Sequence, residues 1–375
     1  MKKSLLSVAA LLSATALTLA GCAEPPQAGQ TGAAPTNQAT TQSTQPVNTD
    51  KVNKDFKACM VSDSGGFDDK SFNQTSYAGL ERAKSDLGVQ TAQIESSKVA
   101  DFPGNIQKMV DQKCKMIITV GFLLGDATME AAKKNPDVEF AIVDWGAEGM
   151  PKNFKSLLFN TAESSFLGGY LAASMSQTGV VGTFGGMKIP TVTIFMDGYA
   201  QGVAYFNEKK GKDVKVIGWD VAKQDGQFVG GFEDQNQGKT VATTLTSQGA
   251  DVIFPVAGPA GLGGLQVALD SGGKVNAIWV DTDGYESNEA KFRPIIASSV
   301  VKKMDEAVFD TIKKAAEGSF SSDPYVGTLE NDGTGLAPFH DFDGKVSAET
   351  KAELDQIKQD IVSGTIKIES AAQPK

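Results

Sequence analysis

From Lys57 onward the chain alternates short apolar runs with longer stretches whose apolar residues recur at helical spacing. The runs Ala58–Ser62, Met116–Val120, Phe140–Asp144, Val180–Phe184, Val214–Gly218, Asp251–Val256 and Ala277–Asp281 predict strands. Between them Ser71–Leu87, Asp101–Gln112, Leu124–Lys134, Phe166–Gln177, Thr191–Asn207, Gly238–Gln248 and Leu262–Asp270 predict helices. Near-continuous apolar strands separated by helices form parallel sheets covered on both faces, so the fold class is α/β. Three such strands precede Asn160 and four lie between Val180 and Asp281, which predicts two similar halves. No solenoid-type repeat is visible.

The first fifty residues follow a different pattern. Met1-Lys2-Lys3 is a short positive start, and Leu5–Leu19 is an apolar run too short to span a bilayer but suited to a signal-peptide core. It ends in Leu19-Ala20-Gly21-Cys22, which resembles a bacterial lipobox. Residues 1–21 are therefore expected to be a leader, with Cys22 lipidated and holding the protein on the outer side of the cell membrane; the alternative is an ordinary secretory signal with a chance cysteine. Ala23–Asp50 is rich in Gln, Thr, Ala and Pro and cannot bury enough surface to offset ordering entropy. Residues 22–53 are expected to form a flexible tether.

Charge and scarce residue types remove whole classes of chemistry. The chain carries 35 basic and 45 acidic residues, a net charge of −10, and loss of Lys2 and Lys3 takes it to −12. Such an acidic body lacks the basic face that nucleic acid requires. Only Arg82 and Arg293 could clamp an anion bidentately. His340 is the only histidine, so a histidine zinc cluster is excluded and any Ser-His-Asp triad hangs on one residue; three cysteines cannot build a four-thiolate site. No metal or cofactor is expected. Outside the cytoplasm Cys59 and Cys114 are either bridged or two buried thiols.

In open parallel sheets ligands bind beyond the carboxyl ends of the strands. Those ends read Asp63-Ser64-Gly65-Gly66, Gly121-Phe122, Asp144-Trp145-Gly146, Gly185-Gly186, Ala257-Gly258-Pro259 and Asp281-Thr282-Asp283-Gly284. Glycines let backbone approach a ligand and carboxylates accept from hydroxyls. Phe72 follows the first of these loops, and Phe232 sits among glycines and acids, a poor core environment. Asp281 ends a buried strand and suits a vicinal diol, with Asp283 as its rival; Asp63 is either a turn cap or a ligand contact. Lys303, in a helix expected to start near Ser298, is either a contact or a surface lysine. Gly121, Asp144, Asn160 and Tyr199 are secondary candidates.

The run Ser62-Asp63-Ser64-Gly65-Gly66-Phe67-Asp68-Asp69-Lys70-Ser71-Phe72-Asn73-Gln74 resembles the signature of the basic membrane protein family, lipoprotein receptors of ABC importers similar to bacterial purine-nucleoside receptors. Phe159–Gly169, Gly230–Asp234 with Gly238-Lys239, Gly249–Phe254 and Val280–Asp283 match further, in order, from about Phe56 to past Lys303. The resemblance implies a two-lobed type I periplasmic-binding-protein fold, two Rossmann-like parallel-sheet domains joined by three crossovers. It implies that Phe72 and Phe232 sandwich a purine, that Asp63 addresses the base edge, and that Asp281, Lys303 and Gly258 lie at the ribose. The chain departs from many members at Gly284, where they carry Gln.

The lobes are accordingly expected at 54–161 plus about 285–322, and 162–284 plus about 323–370. The crossovers are expected near Asn160–Glu163, Asp283–Ser287 and Ser319–Gly327. The implied function is capture of a purine nucleoside between the lobes by a monomeric receptor and its delivery to an ABC permease with its ATPase. A receptor for another small neutral metabolite, a nucleoside-processing enzyme and a surface adhesin are the alternatives. Gly238-Lys239-Thr240 lacks the upstream glycine of a phosphate loop and has Glu233 in its place.

Overall fold

A computed structural model describes residues 47–374. Cys22 and the leader expected before it lie outside the described residues.

The first half lays down β1 (Lys57–Ser62), α1 (Phe72–Arg82), β2 (Gln90–Ile94), α2 (Phe102–Asp111), β3 (Met116–Val120), α3 (Gly125–Lys134), β4 (Glu139–Val143) and β5 (Phe154–Phe159). The second half begins with α4 (Thr161–Met175), β6 (Val180–Gly185), α5 (Pro190–Lys210) and β7 (Lys215–Ile217). A two-residue hairpin, β8 (Trp219–Asp220) with β9 (Asp225–Gly226), precedes α6 (Gln235–Ser247), β10 (Val252–Val256), α7 (Leu262–Asp270), β11 (Asn276–Asp281), α8 (Gly284–Ser287) and β12 (Ile296–Lys302). The chain ends with α9 (Met304–Ala316), β13 (Tyr325–Gly327), β14 (Thr334–Leu336) and α10 (Ala348–Val362).

The strands form two six-stranded sheets, ordered β13-β5-β4-β3-β1-β2 and β14-β12-β11-β10-β6-β7. All pairings in the first are parallel; the second is parallel except at the β12–β14 edge. The central strands β3 and β10 are buried throughout, which is why they read as unbroken apolar runs. In the second lobe α4 and α5 cross so closely that a Cβ on Gly169 would meet the Tyr199 carbonyl oxygen at 2.0 Å. That crossing requires glycine on α4.

Three expectations about the lobes are corrected. Ile296–Lys302, expected in the first lobe, is a strand that pairs with β11 in the second sheet. The helical half of that segment starts only at Met304, and α9 packs into the first lobe's core through Val308 and Ile312. The second crossover therefore lies at Lys302–Met304 rather than near Asp283–Ser287. Tyr325–Gly327, expected in the second lobe, pairs with β5 in the first, so the third crossover runs from Gly327 to Thr334. The end of the expected tether is also part of the body: Val52 is buried, and the Asn53 N–H donates to the Ala316 carbonyl.

Cys59 in β1 and Cys114, just before the neighbouring β3, are joined by a disulfide with Cα atoms 5.9 Å apart.

Candidate functional site

The carboxyl ends of both sheets face one cleft. From the first lobe Asp63 follows β1, Gly121 follows β3 and Asp144 follows β4; from the second, Gly258 follows β10 while Asp281 and Lys302 end β11 and β12. The start of α5 adds Ile189, Val192 and Phe195, and the loop before α6 adds Phe232.

The loop after β1 is built to present Phe72. Gly65 and Gly66 take positive φ (101° and 69°), which turns the chain back on itself. The Asp69 carboxylate then accepts from the N–H groups of Ser71, Asn73 and Gln74, at 3.0, 2.9 and 3.0 Å. These are orphan donors at the start of α1, so Asp69 fixes the helix whose first residue is Phe72.

Asp144 and Asp281 occupy matching strand ends in the two lobes and share a left-handed backbone, φ 67° and 68°. Aspartate tolerates this conformation better than most residues, at a local cost that functional sites commonly carry. Both carboxylates face the Lys302 ammonium: Nζ is 2.5 Å from Asp144 Oδ2 and 3.6 Å from Asp281 Oδ1. All three side chains are at most 10% exposed. Nζ also lies 5.0 Å from the Phe72 ring centre and 5.1 Å from that of Phe195. Ser71 Oγ donates to Asp281 Oδ2 at 3.0 Å, a second polar link between the lobes.

Two further acids, Asp63 and Asp69, stand in the same cleft region as this trio. Burial pushes the Asp63 carboxyl up to about 8, against the pull of an Asn73 hydrogen bond and with help from Asp69 and Asp144. Burial raises Asp69 to about 6 despite its three backbone donors. Burial also raises Asp144, while Lys302 draws it back. Burial thus favours the protonated form of Asp63, which can both donate and accept. Gly121 makes room for it: at φ +122°, a Cβ there would lie 2.0 Å from Asp63 Oδ2.

The structure brings Asp63, Phe72, Gly121, Asp144, Phe232, Gly258 and Asp281 to the cleft. It does not bring four other candidates. Lys303 is exposed at the head of α9, because β12 ends at Lys302 and Lys303 is the cap residue at which the chain turns into the helix. Tyr199 is buried in the second lobe's core against Phe254, ring centres 5.2 Å apart. Asn160 stands at the first crossover, where its amide donates to Glu163 Oε1 at 2.8 Å. Asp283 caps α8 and pairs with His340 Nε2 at 2.7 Å.

Lys302, Asn73, Phe195, Ile189 and Val192 are cleft residues that the sequence reading missed. Asn73 stood inside the signature run. Lys302 was recoverable had the β-branched stretch Ile296–Val301 been read as a strand ending at Lys302.

The arrangement suits a flat, uncharged ligand rich in hydrogen-bond donors. Aromatic faces reach the cleft from both lobes, carboxylates accept from hydroxyls, and the single ammonium is already neutralised by Asp144, which disfavours an anion.

Residues 56–372 match the family described as "Bmp: ABC transporter substrate-binding protein PnrA-like". The chain is 31% identical to "ABC transporter nucleoside-binding protein BmpA" of Lactococcus lactis subsp. cremoris, over 99% of this chain and 100% of that one. It is 31% identical to "Basic membrane protein D" of Borreliella burgdorferi, over 81% and 85% of the two chains. Among solved structures, an ABC transporter solute-binding protein from Aeropyrum pernix K1 superposes with a TM-score of 0.74 at 26% identity, covering 83% of this chain and 92% of that one.

Proposed function

The chain belongs to the Bmp family of PnrA-like ABC transporter substrate-binding proteins, and from that membership and the cleft we propose that its ligand is a purine nucleoside. The observation that carries the reading is the pair of rings, Phe72 from the first lobe and Phe232 from the second, on one cleft with Asp63 and Asp281. A purine between the rings gains about 1–3 kcal/mol per stacking face. Asp63, carrying its proton, meets the donor-and-acceptor edge of the base. Asp281 accepts from the ribose diol, and Lys302 takes the role expected of Lys303. The similar Lactococcus protein is named as nucleoside-binding, in keeping with this assignment.

Capture is a hinge motion. The lobes meet through Lys302–Asp144 and Ser71–Asp281, so a ligand touching both lobes biases the chain toward the state in which these groups converge. A monomer held outside the cell membrane by a lipid on Cys22 then presents the nucleoside to a permease driven by its ATPase.

The test is a thermal-shift panel on protein unfolded and refolded to strip retained ligand. Inosine, guanosine and adenosine at about 100 times Kd add about 2.7 kcal/mol of stability. Pentoses, amino acids and nucleoside monophosphates are expected to add little. A larger shift from a sugar or amino acid than from any purine nucleoside overturns the reading in favour of another small metabolite.

A further inference from the structure

The three crossovers are bonded to one another. The Asn160 N–H, just past β5, donates to the Gly327 carbonyl at the end of β13 at 2.8 Å, and the Lys303 N–H donates to the Gly333 carbonyl at 2.9 Å. Gly327 lies so close to its sheet neighbour that a Cβ there would meet the Phe159 ring at 2.5 Å. Asn160 and Gly327 therefore belong to the edge of the first lobe. Beyond them the chain passes to the second lobe within a few residues. Glu163 stands in the first turn of α4, and Leu329, 1% exposed, is part of the second lobe's core.

One carboxylate spans this passage. Glu163 Oε2 accepts from the Leu329 N–H at 2.7 Å, which anchors it to the second lobe. Glu163 Oε1 accepts from the Asn160 side-chain amide at 2.8 Å, which ties it to the first. Ser164 beside it bonds Thr334 at the start of β14, so α4 and the far end of the third crossover form one piece. The first crossover also holds two buried polar atoms without a partner, Asn160 Oδ1 and Thr161 Oγ1. Orphaned polar atoms cost free energy, so the crossover carries a cost in the arrangement in which Lys302–Asp144 and Ser71–Asp281 join the lobes.

We propose that the first and third crossovers bend within Asn160–Glu163 and Gly327–Leu329, and that the Glu163–Asn160 bond is a hinge-side latch, a positioning contact that favours the closed state without touching ligand. A hinge absorbs its rotation in a few residues at element ends. Rotation within Asn160–Glu163 carries the amide away from a carboxylate fixed on Leu329, which breaks the bond and frees the orphaned atoms. Both residues lie outside the cleft lining. The inference rests on the hinge motion proposed above and not on which ligand fills the cleft.

The experiment is stopped-flow measurement of inosine association and dissociation with the full chain, comparing the parent with Glu163→Ala, Asn160→Ala, their double variant and Glu163→Gln. Each alanine variant is expected to raise the dissociation rate about tenfold and to leave association within about twofold, because a hydrogen bond to a charged group is lost from the closed state alone. The double variant is expected to dissociate no faster than Glu163→Ala, since both changes remove the same bond. Glu163→Gln is expected to stay near the parent: its amide accepts from Leu329 and donates to Asn160 Oδ1 once that side chain turns over. Dissociation within about twofold of the parent in both alanine variants, or Glu163→Gln as fast as Glu163→Ala, overturns the latch and leaves the nucleoside reading intact. If folded parent does not bind inosine, that reading fails by itself, and the latch is read from small-angle scattering of the ligand-free protein. There Glu163→Ala is expected to enlarge the radius of gyration and Glu163→Gln to keep it; equal radii in all three proteins overturn the latch.

Discussion

Lys302 Nζ, carried by the second lobe, lies 2.5 Å from Asp144 Oδ2, carried by the first. The pair is buried and bridges the cleft, which makes it a latch between the lobes. Removing one partner of a buried pair leaves the other charge uncompensated, at about 3–5 kcal/mol. Lys302→Met is therefore expected to lower folding stability by about 3–5 kcal/mol and to weaken nucleoside binding. Lys303→Met, one residue on and exposed, is expected to change binding and stability by no more than about 0.5 kcal/mol. Calorimetry and thermal melts on the two variants check the contrast; equal effects would remove the latch.

The acids at strand ends set a pH dependence. Asp63 has an ordinary value of 3.8 and a value of about 8 in the fold. Between these limits the folded state holds a proton the unfolded chain has lost, so stability falls as pH rises and levels off above 8. Asp69 adds a fall of the same sign that ends near 6. Asp63→Asn is expected to melt higher than the parent at pH near 8 and to show a shallower decline from the acid side. Asp69→Asn is expected to melt lower, because an amide oxygen cannot accept from all three donors of α1. Melting temperature against pH for the three proteins decides this.

Each aromatic face is expected to contribute separately. Phe72→Ala and Phe232→Ala should each weaken purine nucleoside binding by about 1–3 kcal/mol. Phe72→Tyr, which keeps the face, should retain most of it. Affinities measured by calorimetry that are unchanged in both alanine variants would exclude stacking.

The Cys59–Cys114 bridge separates stability from function. It spans 55 residues of sequence, and the chain-entropy model assigns such a loop about 4 kcal/mol. The Cys59→Ala, Cys114→Ala double variant should lose about that much in denaturant unfolding and keep its nucleoside affinity. The two sulfurs lie on the face of the first sheet packed against α2, remote from the cleft.

Much of this architecture was readable because buried parallel strands leave unbroken apolar runs. β3, β10 and β11 did so, and the turn residues at their ends marked the site. The strands that were missed lack that signature. β2 is half exposed and reads Gln90-Thr91-Ala92-Gln93-Ile94. β5 is broken by Lys155 and Ser156, and β12 carries Ser298 and Ser299, which hydrogen-bond inward to Ala337 and Gly284. Misreading β12 as helix moved one crossover and exchanged Lys302 for Lys303. Tyr199 failed for another reason: α5 packs its polar-tipped ring inward, and helical spacing alone does not distinguish a core face from a cleft face.

The most direct test of the central claim is calorimetric titration of inosine and guanosine into stripped, refolded protein, with Asp281→Ala alongside. The account predicts micromolar or tighter binding to the parent, weakened about tenfold or more in the variant through loss of the hydroxyl contact. No heat from either nucleoside with a protein shown to be folded would contradict it.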